Sequence, residues 1–270
     1  MVASNNEVNN DSVTSPLHYA RAGEGPTVVL VHGYLGGSEQ WKAEMESLSA
    51  NFDVIAIDLP GFGKSRNVAP QSSIEGFARS VIQCLDSLGV SQFDLLGHSM
   101  GGMIVQEMVR IVPDRVQKLV LYATGALGSL PGRFETLERS RERLREEGLE
   151  ATGRRISATW LREYEESPAA GQLAELALQA NEDGALAALW AMETWDGREA
   201  VRHIKQKTLI LWGELDRTYS WEQTAYFWRE ISGSSLAVVP NCSHAVHLDN
   251  PALFFLLLSD FLRPSVSDKM

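Results

Sequence analysis

The sequence predicts an α/β protein: a mostly parallel, doubly wound sheet carrying one all-helical insertion. Short, continuously apolar and β-branched runs recur at 27–31, 54–57, 93–96, 119–122, 208–212 and 236–239. Strands of that kind belong to a sheet covered on both faces. Helical patterns fill the gaps between them, and strict strand–helix alternation implies parallel crossovers. The alternation stops from 125 to 198, where only helix-like sequence is found.

Each element has its own signal. Residues 17–20, after Pro16, read as an early strand at one sheet edge. Ile74, Phe77, Ala78, Val81, Ile82, Leu85 and Leu88 recur at helical spacing and form one apolar stripe. A second helix starts at Ser99. A third follows Asn250-Pro251, because proline suits the first helical position. The insertion begins charged, with Glu138, Arg141, Glu142 and Arg145 reading as a solvated helix face. It ends richer in Leu186, Leu189, Trp190, Met192 and Trp195. Residues 1–124 and 199–270 therefore form the expected core, and 125–198 a cap over the strand ends.

Composition narrows the function. A net charge of -11 opposes binding to nucleic acid or to anionic membranes, both of which need a basic surface. The two cysteines, Cys84 and Cys242, do not make a disulfide framework and read as packing residues. Residues 1–15 are polar, without the apolar stretch of a secretory signal. The longest apolar run, 252–258, is far short of the roughly 20 residues a membrane helix needs. The expectation is a cytoplasmic protein acting on a small molecule.

The chemistry is concentrated in a few motifs. Gly97-His98-Ser99-Met100-Gly101 is a G-x-S-x-G sequence between a strand and a helix, the context in which a strained turn exposes a nucleophilic serine. The N–H of Met100, at the helix start, is one expected oxyanion donor. The glycine-rich turn His32-Gly33-Tyr34-Leu35-Gly36-Gly37 supplies the other from Tyr34. A serine hydroxyl needs a base, and the base needs a carboxylate to orient it. In the order Ser, Asp, His, the candidates are Asp216, with Glu214 as rival, and His244, with His247 as rival or pocket residue. His98 is expected to pack under the turn. His244 and His247 lack a third nearby ligand, so no metal is expected. Gly63-Lys64-Ser65 imitates the end of a phosphate-binding loop, but the required first glycine is Asp58.

With these residues in hand, the chain resembles the α/β-hydrolase family. The matching segments are His32-Gly33-Tyr34, the run Asp58-Leu59-Pro60-Gly61-Phe62-Gly63-Lys64-Ser65, Gly97 to Gly102, Trp212-Gly213-x-x-Asp216, and His244 with Asp249-x-Pro251. The resemblance implies an eight-stranded, mostly parallel sheet with a helical cap after the sixth strand. The region 95–130 and the cap style are most similar to enol-lactonases and related carboxylic-ester hydrolases. Carbon–carbon hydrolases of aromatic-ring breakdown share the serine triad but commonly carry Trp after the histidine, where this chain has Ala245. Ser243 stands where the family usually has glycine.

The function expected is cleavage of an ester or lactone of a small, fairly apolar molecule through an acyl-enzyme, without a cofactor. Ser99, Asp216 and His244 are the expected triad, and Trp160, Trp190, Met192, Trp195 and His247 the pocket candidates. The alternatives are carbon–carbon bond hydrolysis and a hydrolase-like small-molecule receptor.

Overall fold

The computed structural model describes residues 17–129, 133 and 135–263. Seven strands form one sheet: β1 (Tyr19–Ala22), β2 (Thr27–Val31), β3 (Asp53–Ile57), β4 (Phe93–His98), β5 (Val116–Tyr122), β6 (Lys207–Gly213) and β7 (Ser235–Val239). Their order is β1-β3-β2-β4-β5-β6-β7. All neighbours pair in parallel except β1, which runs antiparallel to β3 at the edge. The sheet thus has seven strands among the described residues, against the eight expected. Only Leu17 and His18 precede β1 there, which is too little chain for another strand.

The helices are α1 (Lys42–Leu48), α2 (Ile74–Ser87), α3 (Met100–Ile111), α4 (Leu137–Ala158), α5 (Ala170–Ala177), α6 (Glu182–Glu193), α7 (Arg198–Val201), α8 (Trp221–Glu230), α9 (Val246–Asp249) and α10 (Pro251–Leu262). Helices α4 to α7 occupy the connection between β5 and β6, where the sequence lost its alternation. Gly148 breaks α4 with a φ of 78°, a conformation that suits glycine. Ser73 and Asn250 cap α2 and α10 by accepting from the N–H groups of Gly76 and Leu253.

Alternation along the central strands divides the core. Val29 and Val31 of β2 pack with α2, α3 and the insertion. Val28 and Leu30 face the other way, against Trp41, α1 and α10. Both faces are covered, so β2, β3 and β4 are almost uniformly apolar. The chain leaves β2 for β3 on one side, then returns to β4 on the other. A reversal of this kind is where open α/β sheets generally place their ligand sites. The turn carrying Tyr34 follows β2, and Ser99 follows β4, so the sheet order itself brings them together.

Candidate active site

Ser99 sits at the tip of the β4–α3 turn with φ 56° and ψ −119°, a backbone strain stored at a sharp bend. The turn can form because its neighbours lack side chains. A Cβ on Gly97 would run into the carbonyl of Gly101, and one on Gly101 into that of Val31. Gly33 packs directly against the serine, and a Cβ there would come within 3.0 Å of the Ser99 Cβ. The backbone after Gly33 is thereby held beside Ser99. His32 fixes that turn: its Nδ1 donates to the Gly33 carbonyl at 2.7 Å, and its Nε2 accepts from the Leu59 N–H at 3.0 Å. Asp58 binds the neighbouring loop, accepting from Lys64 N–H and pairing with His18. The Gly63–Ser65 segment is a short 3-10 turn over that carboxylate.

Asp216 and His244 project from the loops after the adjacent strands β6 and β7. The Asp216 Oδ2 lies 3.0 Å from His244 Nδ1, and both side chains are buried. Oδ1 of Asp216 accepts from the backbone N–H groups of Thr218 and Tyr219 at 2.7 and 3.2 Å. A carboxylate satisfied this way holds Nδ1 protonated and leaves Nε2 as the basic nitrogen. Glu214 is exposed and accepts from the Asn241 N–H instead. Ser243, the departure from glycine, is fully used: its N–H donates to Asp249 and its hydroxyl joins Leu215 O and Arg217.

His247 pairs with Tyr122, whereas His244 pairs with Asp216. Its Nδ1 meets the Tyr122 hydroxyl at 2.8 Å, and its ring packs on Trp41. Burial and the nearby His244 push its pKa down to about 3. His98 packs beneath the turn, as expected from sequence, but it also bonds to the backbone of His244. Its Nε2 donates to the His244 carbonyl at 3.2 Å, and Gln40 donates to its Nδ1 at 3.1 Å.

The pocket candidates separate. The Trp160 ring centroid is 5.9 Å from that of His244, and its carbonyl accepts from the Ala245 N–H. Trp195 is buried but donates its indole N–H to Glu107 on α3 at 2.9 Å. Met192 is buried in the core, with Gly128 pressed against its backbone. Trp190 is 50% exposed, with the Arg141 guanidinium over its ring. It faces solvent because it lies on the outer side of α6.

Two residues near the site carried no signal in the sequence. Tyr219 stacks on His244 with centroids 5.7 Å apart and 20° between planes, and burial raises its phenol pKa. No hydrogen bond to His244 Nε2 is found among the described residues. Burial lowers the pKa of Arg133, against the opposing charge effects of Tyr219, Tyr34 and Asp216. Only the offset of three from Asp216 could have pointed to Tyr219, and nothing in the sequence pointed to Arg133.

The α/β-hydrolase fold model matches residues 26–251. The chain is 29% identical over 264 residues to the 2-hydroxy-6-oxo-6-phenylhexa-2,4-dienoate hydrolase of Comamonas testosteroni, covering 92% of this chain and 91% of that protein. A thermophilic esterase from Thermogutta terrifontis, solved with malate bound, superposes with a TM-score of 0.83 at 28% identity, covering 92% of this chain and 93% of that one. The enol-lactonase of Burkholderia xenovorans shares the fold with a TM-score of 0.83 at 24% identity, over 91% of this chain and 96% of that one. A match spanning almost the whole sheet, with the strained serine turn inside it, makes this chain a member of the α/β-hydrolase family.

Proposed function

We propose that this hydrolase cleaves an ester or lactone of a small molecule through an acyl-enzyme. The observation that carries the reading is the His244 Nδ1–Asp216 contact of 3.0 Å beside a serine held at φ 56°. Ser99 Oγ attacks the carbonyl carbon while His244 Nε2 takes its proton. The oxyanion is held by the N–H groups of Tyr34 and Met100. His244 returns the proton to the leaving oxygen as its bond to carbon breaks, and water then repeats the sequence on the acyl-enzyme. No cofactor enters these steps.

In this reading residues 125–198 act as a cap that excludes water from the oxyanion, which strengthens its hydrogen bonds. The contact between Trp160 and His244 supports it. The carbon skeleton of the substrate is small and fairly apolar, matching the aromatic and aliphatic side chains nearby. The relative from Comamonas testosteroni favours carbon–carbon hydrolysis as a second reading. Ala245, where such enzymes commonly carry Trp, stands against it.

The test is a screen of esters, lactones and vinylogous diketones with products identified by mass. Turnover of esters or lactones, abolished by Ser99→Ala, is the expected result. Cleavage of diketones alone would favour the second reading.

A further inference from the structure

Three consecutive residues of the insertion bond the loops around Asp216 and His244 through their backbone. The Trp160 carbonyl accepts from the Ala245 N–H at 2.9 Å. The Leu161 carbonyl accepts from Arg217 Nη1 at 3.1 Å, and the Arg162 carbonyl from Arg217 Nη2 at 3.4 Å. The Arg162 N–H donates to Asp249 Oδ1 at 3.1 Å, and Asp249 Oδ2 accepts from the Ser243 N–H at 2.7 Å. Arg217 directly follows Asp216, and Ser243 directly precedes His244. These two neighbours are themselves joined. Arg217 Nη1 donates to Ser243 Oγ at 3.1 Å, and Ser243 Oγ donates to the Leu215 carbonyl at 3.2 Å. The same guanidinium lies 4.1 Å from the ring centroid of Tyr164 in the insertion. Tyr164 has a φ of 51°, which is uncommon for a residue with a side chain.

We propose that Arg217 and Ser243 are positioning residues, a clamp that ties the insertion to both loops and so fixes Trp160 against His244. This rests on the ester or lactone reading above. Neither residue touches the reacting atoms. Arg217 holds the backbone at 161 and 162, and Trp160, the next residue, is thereby held with its ring 5.9 Å from that of His244. Ser243 connects that anchor to the residue before His244. A shift of the insertion would therefore move Trp160 and the His244 loop together.

The residue types suit this work. A guanidinium is a planar fork with five N–H donors, so it can serve two carbonyls and a hydroxyl while its face packs on a ring. A lysine ammonium has three donors and no flat face. Ser243 Oγ both accepts and donates, which lets it bridge Arg217 to Leu215; glycine there would leave that bridge open. The Leu215 N–H also donates to the Cys242 carbonyl at 2.8 Å, so the two loops keep a backbone link without the hydroxyl.

A double-mutant cycle read on esters of graded acyl size tests this. Arg217→Ala is expected to lower kcat about 30-fold and to change relative kcat/KM between small and large acyl groups at least fivefold, because a misplaced group is costly. Arg217→Lys should recover part of the loss. Ser243→Gly should cost about fivefold alone and nothing further in the Arg217→Ala background, since residues acting as one unit are not additive. In the Trp160→Ala background, Arg217→Ala should no longer alter the acyl-size ratios. Thermal melts accompany each variant, and if Arg217→Ala does not fold, Arg217→Lys with Ser243→Gly completes the same cycle. Multiplying losses, or acyl-size ratios unchanged by Arg217→Ala, would overturn the clamp while leaving the hydrolase reading intact. A wild-type enzyme inactive on every ester and lactone would overturn that reading and this role with it.

Discussion

His98, the residue preceding Ser99, is tied to the backbone of His244: its Nε2 donates to the His244 carbonyl at 3.2 Å. Gln40 donates to the opposite ring nitrogen, so the tautomer is set from both sides. Burial and the neighbouring imidazoles keep the His98 pKa well below its ordinary value, which preserves that neutral arrangement. His98→Leu should therefore lower kcat by about 10- to 100-fold with KM nearly unchanged, since small misplacements of a catalytic group are costly. Steady-state kinetics on one ester check this. A change confined to KM would mean that His98 shapes the pocket instead.

Asp216→Asn and Glu214→Gln should differ by orders of magnitude. Asn can donate where Asp216 Oδ2 accepts, so His244 would favour the wrong tautomer, at a cost on the order of 10⁴ in kcat. Glu214 is exposed and bonds only a loop N–H, so its loss should be nearly silent. Comparable losses from the two variants would remove the unique role given to Asp216.

Stability should fall between about pH 4.5 and 7 because of Glu44. Its carboxyl is buried, and burial raises its pKa from 4.5 to about 7. In that window the folded chain holds a proton that the unfolded chain has released. Folding therefore binds a proton, and stability declines as pH rises, levelling above 7. The shift corresponds to a loss of about 3 kcal/mol. Asp94, raised to about 6 by burial, contributes with the same sign. Melting curves of wild type and Glu44→Gln should converge at low pH and diverge towards pH 8, with the variant more stable. Parallel curves would show that Glu44 does not titrate in this way.

Trp160→Ala and Trp190→Ala should separate specificity from surface. Trp160 lies beside His244 and is buried, so its loss should change relative kcat/KM among acyl groups of different size. Trp190 is half exposed beneath Arg141, and truncating it should leave those ratios unchanged. A substrate series run against both variants decides between these placements.

The strands and the candidate triad were legible because each depends on local pattern. Continuous apolar runs mark buried parallel strands, and the glycines around Ser99 are required by the strained turn that carries it. The order Ser99, Asp216, His244 could be read because each follows a strand. What surrounds the triad could not be read. Tyr219 looks like any loop tyrosine until the β6 and β7 loops fold together. His98 and His247 are close in kind, yet one bonds the His244 backbone and the other pairs with Tyr122. Likewise the insertion's tryptophans share a helical pattern, and only packing sends Trp160 inward and Trp190 to solvent.

The insertion meets the core partly through bare backbone. Gly61, after β3, and Gly184, at the start of α6, approach so closely that a Cβ on Gly61 would come within 2.8 Å of the Gly184 Cα. The Asn181 N–H donates to the Gly61 carbonyl at 2.8 Å beside them. A contact of this kind has no side chain to trade, so it fixes the distance between insertion and core independently of the side chains around it. On the proposed reading of the insertion as a cap, side chains beside the site could then be exchanged one by one without re-docking the helices. In such a chain, new substrate preferences would accumulate through lining residues, while these two glycines act as the fixed datum from which the pocket is measured.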